Sequence, residues 1–152
     1  MIRHPAFSEQ LIEGLYDEAL DLAEQARAAF DMRDAASPSN TPDTVRIALS
    51  IEGLRTTTRL MHVLAWLLNQ RAYQAGDLTL AQVRRHGRLA AERAPDPGNL
   101  ARLEPATRGL IRDSERLYDR VARLSADQDA ANDSGSSGVQ AMHSRLGTAF
   151  GT

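Results

Sequence analysis

The chain contains no cysteine and no lysine. Without cysteine it has no disulfide framework, no thiolate metal site and no cysteine nucleophile, and this composition suits a reducing cytoplasm. All 18 basic residues are arginine, and with 20 acidic residues the formal net charge is −2. A nearly neutral chain is not adapted as a whole to bind nucleic acid or an anionic membrane.

Aromatic residues are also scarce, at 5% of the 152 residues, and no apolar stretch is long. The core must therefore consist of Leu, Ala, Val, Ile and Met, which favours helices packed on helices over a β-sandwich. The longest apolar stretch, residues 60–68, covers less than half of the ~20 residues that a membrane-spanning helix needs. Residues 1–5 lack the apolar run of a secretory signal. We expect a cytoplasmic domain without a membrane span.

Apolar residues at helical spacing predict three long helices, at about residues 8–33, 42–75 and 104–124. A weaker helical segment is expected at residues 80–94. Start and stop signals support these boundaries. They are an N-cap at Ser8 with a staple between Phe7 and Ile12, an N-cap at Thr41 before Pro42, a stop at Gly76, a capping box from Thr79 to Gln82, and a turn at residues 95–98.

The second predicted helix has an apolar seam with alternating spacings of four and three residues. We expect this seam to pack on the other helices; it consists of Ile47, Ile51, Leu54, Thr58, Met61, Ala65, Leu68 and Ala72. Between Leu60 and Leu68 the helix is apolar on nearly all sides, so it needs more than one neighbour. That neighbour is either a fourth element of the chain or a second copy of it.

These segments predict an all-α protein, an antiparallel three-helix bundle in up-down-up order with one long central helix and a short extra helical segment. Residues 1–124 form the predicted bundle domain, with a mobile connection at 34–40. Residues 125–152 are rich in Asp, Ala, Ser and Gly and carry few apolar anchors. Such a segment does not offset its ordering entropy, so we expect a flexible, disordered C-terminal tail.

The sequence offers few candidates for catalysis. None of its four histidines pairs with another at the spacing of helical metal ligands, and the Glu-x-x-His motif of a di-metal bundle is absent. A phosphate-binding loop, a dinucleotide fingerprint and a serine elbow are also absent. We therefore expect no enzyme activity, no cofactor and no metal.

The most unusual segment is residues 52–61, where three consecutive threonines lie between Arg55 and Arg59. Threonine is a poor helix former, and Glu52 is close enough to Arg55 for an ion pair within the helix. Two interpretations stay open. The threonines form a notch that lets a neighbouring helix approach, or the arginines bind a carboxylate of a partner. Trp66 likewise predicts either core packing or the anchor of a self-association interface.

The last strong helix carries arginines about one turn apart, a pattern that could bind phosphates; they are Arg108, Arg112, Arg116, Arg120 and Arg123. Acidic residues on adjacent rows partly neutralise them, and no recognition helix or aromatic platform accompanies them. A solvated charged face is the favoured interpretation. The alternative function is a nucleic-acid-associated regulatory protein that uses this face.

Four short segments follow one another along the second predicted helix and just after it: Thr57-Thr58-Arg59-Leu60-Met61, Trp66-Leu67-Leu68, Gln70-Arg71-Ala72 and Gly76-Asp77-Leu78-Thr79. Residues 15–31 and 114–124 add two further stretches. Together they resemble the signature of an alphaproteobacterial family, that of the regulator of CtrA degradation (RcdA). The departures from the family pattern are Gly53, Thr56, His62, Val63-Leu64-Ala65 and Asn69.

The resemblance implies a three-helix bundle, usually a homodimer, that acts as an adaptor in regulated proteolysis. Such a protein helps to deliver a cell-cycle transcription regulator to the ClpXP protease, together with accessory adaptor factors. We expect Trp66 to be a core or dimer anchor. The expected polar contacts with partners are Glu52, Arg55, Thr57, Arg59, Gln70 and Arg71.

Overall fold

The computed structural model describes residues 7–31 and 41–150, the side chains of Ser136 and Phe150 excepted. All regular elements in these ranges are helices: α1 (Glu9–Phe30), α2 (Asp43–Ala75), α3 (Leu80–His86), α4 (Pro97–Leu100) and α5 (Pro105–Phe150). The predicted all-α fold is confirmed. The predicted end of the first helix near residue 33 and the connection at 34–40 lie outside the described residues.

The predicted caps at three helix ends are confirmed. Ser8 Oγ accepts a hydrogen bond from the N–H of Leu11 at 3.1 Å, which satisfies one free donor of the first turn of α1. Thr79 and Gln82 form the reciprocal capping box of α3. Gly76 ends α2 with φ of 83°, a left-handed conformation that glycine adopts without strain.

Other boundaries differ from the prediction. Pro42, rather than Thr41, holds the cap position of α2, a one-residue shift at a helix end. α3 ends at His86 and not at residue 94, because Gly87 follows and Val83 is its only buried residue. The expected turn at residues 95–98 instead begins α4.

α1 and α2 are antiparallel and share one side of the core. Near the start of α1, the ring of Phe7 lies 5.8 Å from that of Trp66, centroid to centroid. Near its other end, Phe30 packs beside Gly53. These two contacts place the beginning of α1 beside the end of α2.

α5, in contrast, is parallel to α2, so the helix order is not the predicted up-down-up. Ser114 bonds to Arg59, and further along both helices Gln128 bonds to Gln70. Residues 87–96 make this order possible, because they run back along α2 before α5 begins. We call them the return segment. The prediction placed a helical segment and a turn between α2 and α5 and expected α5 to reverse direction, but the length of a connection alone does not reveal the direction of the next helix.

The main core lies between α1, α2 and α5. Its buried residues are Ile12, Leu15, Ala19, Leu22 and Ala26 of α1, Leu60, Val63, Trp66 and Leu67 of α2, and Leu110, Leu117 and Val121 of α5. A smaller cluster of Ala48, Leu103 and Ile111 fills the end near α4. Aliphatic side chains dominate both clusters, as the scarcity of aromatic residues requires.

The apolar seam that was expected to pack in the core lies on the outside of α2. Leu54 is 70% exposed, Met61 62% and Ile47 58%. We call this exposed row the outer seam; it comprises Ile47, Ile51, Leu54, Thr58, Met61, Ala65 and Leu68. The prediction for this face was wrong, because the face of α2 that packs within the chain mixes apolar residues with buried polar ones.

α5 continues as a helix to Phe150, so the expected disorder after Leu124 is wrong for the described residues 125–150. A helix that is already nucleated extends by one hydrogen bond per residue without a new nucleation step. Asn132, 4% exposed, is the last residue of α5 buried in the bundle. Beyond it the helix projects from the bundle with its side chains largely exposed.

Two glycines in neighbouring helices are expected to respond oppositely to alanine. A Cβ at Gly53 would lie 2.9 Å from Cγ of Phe30, whereas one at Gly14 would meet no atom within 4 Å. Gly53→Ala should lower the free energy of unfolding by about 1 kcal/mol, because overpacking outweighs the helix propensity gained. Gly14→Ala should raise it by about 0.5–1 kcal/mol. Urea unfolding followed by circular dichroism measures both, and equal stabilisation would contradict the close approach.

Candidate protein-interaction surface

Glu52 is fully buried and binds the chain that returns along α2. Its Oε1 accepts hydrogen bonds from Arg55 Nη1 at 2.8 Å, Asp96 N at 3.1 Å and Asn99 Nδ2 at 3.0 Å. The predicted ion pair between Glu52 and Arg55 is therefore present. Three donors on one oxygen fix the start of α4 against α2.

Arg59, 1% exposed, holds three parts of the chain together. Its Nε bonds to Glu92, its Nη2 donates to the carbonyl of Arg93 at 2.9 Å, and its Nη1 donates to Ser114 Oγ at 3.0 Å. The planar guanidinium presents its donors in a fixed fork, which suits this arrangement. Arg59 thus joins α2, the return segment and α5, and each of its three side-chain nitrogens donates a hydrogen bond within the chain.

Trp66 and Gln70 also lie inside the bundle, each 2% exposed. Trp66 packs in the main core against Phe7, as one of its two interpretations predicts. Gln70 and Gln128 exchange two hydrogen bonds of 3.0 Å between their amides. This pair satisfies donor and acceptor on both side chains and fastens α5 to α2.

Three predicted contact residues reach the surface. Thr57 is exposed, and the side chain of Arg55 is 23% exposed. Arg71, 41% exposed, pairs with Glu13 at 3.0 Å and lies 4.7 Å from the ring centroid of Tyr16. The structure therefore divides the predicted set, with Glu52, Arg59, Trp66 and Gln70 buried and the other three accessible.

A cavity of about 560 Å³ lies between the outer face of α2 and the return segment. Its lining combines apolar and basic groups with one threonine and one carboxylate: Ile51, Leu54, Arg55, Thr58, Arg59, His62, Ala91, Glu92 and Arg93. Three of its lining residues, Ile51, Leu54 and Thr58, belong to the outer seam. The cavity and the seam are therefore one continuous surface, apolar along α2 and bordered by arginines.

Glu115 of α5 lies in surroundings that disfavour the ionised form of its carboxyl group. Burial raises the pKa of Glu115, and the nearby Glu92, Asp119 and Glu52 raise it further, while Arg59 opposes them. The protonated form is therefore favoured more in the folded protein than in the unfolded chain.

Glu115→Gln is expected to stabilise the protein at neutral pH. The pKa of Glu115 in the folded protein lies above the ordinary value of 4.5, so between these two pKa values the unfolded chain holds fewer protons than the folded protein. The free energy of unfolding therefore falls as the pH rises through this range. The amide removes this loss. The two proteins should become equally stable in acid below the unfolded pKa. Unfolding midpoints measured from acid to neutral pH check this, and a Gln variant less stable at neutral pH would contradict it.

Two arginines of the row on α5 are paired with acidic groups. Arg120 bonds to Glu18 of α1, and Arg116 lies 3.9 Å from Asp113. The cavity of about 630 Å³ beside them is lined by acidic and basic side chains in similar number. These contacts favour the solvated charged face, because mixed charges do not attract a phosphate backbone.

Within residues 7–31 and 41–150, no three His, Asp or Glu side chains converge on a position that could hold a metal ion. No helix of this part of the chain has the length and apolar character needed to cross a membrane.

Several residues that shape this site were not predicted. Glu92, Asn99 and Gln128 supply the partners of the buried polar groups on α2. Tyr118 donates to the carbonyl of Ala90 at 2.7 Å and holds the return segment on α5. All lie between 28 and 58 positions from their partners, and sequence spacing gives no signal over that separation.

The chain matches the model of a protein family, described as a protein of unknown function (DUF1465), over residues 3–150. It belongs to this family. No curated protein and no solved structure matches it. The match spans the bundle and the projecting part of α5 alike, so both are covered by the family model.

Proposed function

We propose that this DUF1465 protein is a non-catalytic adaptor in regulated proteolysis. It helps to deliver a cell-cycle transcription regulator to the ClpXP protease in the cytoplasm, together with accessory adaptor factors. The segments around Thr57, Trp66 and Gly76 that resemble the RcdA family support this role, and the resemblance adds homodimerisation to the proposal.

The observation that carries the proposal is the exposed apolar face of α2 with its basic border. Leu54, Met61 and Ile47 are more than half exposed, and an apolar surface of this kind is typical of protein contact sites. Arg55 and Arg93 line the adjoining cavity and suit an acidic side chain of a partner. An adaptor needs only such surfaces, because two weak contacts joined in one molecule raise the effective concentration of the client at the protease.

The buried polar groups support the same function indirectly. Arg59 and Glu52 bind the return segment, so the edge of the cavity is fixed before a partner arrives. A preformed surface loses less conformational entropy on binding. This division of roles leaves Arg55, Thr57 and Arg71 as the accessible polar contacts.

A reconstituted degradation assay tests the proposal. Purified protease, client and accessory factors are combined with and without this protein, and the half-life of the client is measured. The half-life should shorten when the protein is present. An unchanged half-life with all accessory factors present would contradict the adaptor role.

Two threonines of α2 offer a matched pair of variants for this assay. Thr57 and Thr44 are both exposed, but only Thr57 lies one helical turn from both Leu54 and Met61 of the outer seam. Thr57→Glu should reduce the acceleration of degradation about tenfold, the effect of losing one significant contact. Thr44→Glu should leave it unchanged. Equal effects of the two substitutions would remove this face from the proposal.

A further inference from the structure

The cavity between α2 and the return segment is larger than an acidic side chain of a partner requires. Its volume of about 560 Å³ lies within the range of about 300–1,000 Å³ that is typical of small-molecule sites. An acidic side chain carries its carboxylate on a very short stem, whereas both sides of the cavity contribute apolar groups. Ile51 and Leu54 belong to α2, and Ala91 belongs to the return segment. A ligand that fills the cavity therefore needs a sizeable apolar body.

Two arginines of the lining have donors to offer a ligand. Arg93 is exposed, and its guanidinium makes no hydrogen bond or ion pair with the residues that the structure describes. Arg55 donates to Glu52 through Nη1, which leaves its Nε and Nη2 available. The planar fork of a guanidinium matches the two oxygens of a carboxylate. These donors therefore suit a ligand with a carboxylate group.

A buried histidine nitrogen also indicates a ligand. His62 lines the cavity, and its Nδ1 is buried without a hydrogen-bond partner in residues 7–31 and 41–150. Buried polar atoms without a partner are uncommon in folded proteins. A ligand oxygen beside the ring, reached by a rotation about the Cβ–Cγ bond, would accept a hydrogen bond from this nitrogen. The observation is independent of the two arginines.

We propose that this cavity binds a small molecule that combines one carboxylate with an apolar body, such as a medium-chain fatty acid. The carboxylate bonds to Arg93 and to the available nitrogens of Arg55. The apolar body lies along Ile51 and Leu54, where it removes apolar surface from water. The ligand is a different occupant from the client protein, so the inference goes beyond the proposed function.

The charges of the lining select an anion. Glu92 is the one carboxylate among the lining residues, and it is bonded to Arg59. Arg59 in turn donates all three of its nitrogens within the chain, so this pair is not available to a ligand. The remaining charged groups of the lining are Arg55 and Arg93, which attract a carboxylate and repel an ammonium group.

Calorimetric titration of the full chain with decanoate, below its micelle concentration, is the first test. We expect one molecule per chain with a dissociation constant of about 100 µM or lower, an ordinary affinity for so small a ligand. Decanol, which lacks the charge, should bind at least about tenfold more weakly. Acetate, which lacks the apolar body, should not bind measurably. Absence of decanoate binding, or equal binding of decanol, would overturn the proposal.

Two arginines of the return segment provide matched variants. Arg93 and Arg88 are both exposed, but only Arg93 lines the cavity. Arg93→Ala should raise the dissociation constant of decanoate about tenfold, and Arg88→Ala should leave it unchanged. Because both side chains are exposed, the circular dichroism spectrum should stay the same in both variants. Equal effects would mean a general attraction to positive charge and would overturn the site.

The exposed outer seam also has affinity for an apolar ligand, so a second pair of variants separates it from the cavity. Met61 is 62% exposed and belongs to the seam but not to the lining. Met61→Ser should leave the dissociation constant unchanged, whereas His62→Phe, which keeps a ring but loses Nδ1, should raise it about threefold or more. If Met61→Ser weakens binding as much as Arg93→Ala, the ligand lies on the seam and the cavity is not its site.

Amide chemical shifts of the labelled protein test the location directly. On addition of decanoate, the signals of Thr58 and Ala91 should move, because these residues line the cavity from its two sides. The signal of Gly14 on α1 should not move. Shifts that are absent from the return segment would overturn the proposal.

The ligand site and the adaptor role fail separately. A chain that binds decanoate but leaves client half-life unchanged in the degradation assay would refute the adaptor role alone. A chain that accelerates degradation but does not bind decanoate would refute the ligand site alone.

Discussion

Replacing Arg59 with methionine is expected to lower the free energy of unfolding by about 3 kcal/mol. Methionine keeps most of the apolar stem but removes all three hydrogen-bonded contacts, to Glu92, the carbonyl of Arg93 and Ser114. The carboxylate of Glu92 is 20% exposed, so it regains some solvation, and the loss is smaller than for a fully buried pair. The loss should appear in urea unfolding followed by circular dichroism.

Arg116→Met is the matched control for this experiment. Its side chain is 71% exposed and its ion pair with Asp113 is long, at 3.9 Å, so the change should be below about 0.5 kcal/mol. Hydrogen exchange adds a local readout. In Arg59→Met the amides of the return segment should lose protection before those of α1. If Arg59→Met were as stable as Arg116→Met, the buried guanidinium would not hold the return segment.

Trp66→Ala should have an effect of similar size, a loss of about 3–5 kcal/mol. Trp66 is 2% exposed, lies at the centre of the main core and packs on Phe7 at the start of α1. Removing the indole leaves a cavity that the packed helices α1, α2 and α5 cannot close. Leu20→Ala, at a position 44% exposed, should change stability by less than about 0.5 kcal/mol.

Trp66 is the only tryptophan of the chain, so it also reports on its own burial. Its fluorescence in the native protein should be blue-shifted and should move to the red on unfolding. The Ala variant is followed by circular dichroism instead. A native emission typical of water-exposed indole would contradict the placement of Trp66 in the core and the predicted loss with it.

The prediction of helices from sequence succeeded where the determinants are local. Ser8, Gly76 and the Thr79 capping box act within a few residues, and the structure uses all three. The apolar composition with few aromatic residues likewise predicted helices packed on helices. Local backbone chemistry and overall composition are properties that a single sequence carries directly.

The buried face of α2 was predicted wrongly, because its most regular row of apolar residues is exposed. The outer seam consists of apolar residues and one threonine, whereas the buried face includes Glu52, Arg59 and Gln70. Each of these has a hydrogen-bond partner far along the chain, such as Asn99 for Glu52, Glu92 for Arg59 and Gln128 for Gln70. A buried polar residue looks like a surface residue until its partner is known, and partners at such separations cannot be identified from spacing.

The candidate site was predicted only in part, because the partners that bury some of its residues lie far along the chain. Arg55, Thr57 and Arg71 are accessible as expected, since all three lie on faces of α2 that no other element covers completely. Arg59 belongs to the same helix but is turned toward the return segment. The path of that segment follows from many weak tertiary contacts and from no motif in residues 87–96.

The parallel arrangement of α2 and α5 gives the molecule two unlike poles. Phe7, whose carbonyl accepts a 2.8 Å hydrogen bond from Gln74, lies at the same pole from which α5 departs beyond Gln128. A fluorophore or affinity tag placed next to Phe7 therefore lies close to the projecting part of α5 and obstructs a molecule that binds along it. An insertion at the exposed Gly98 of α4 lies at the opposite pole and leaves that helix free.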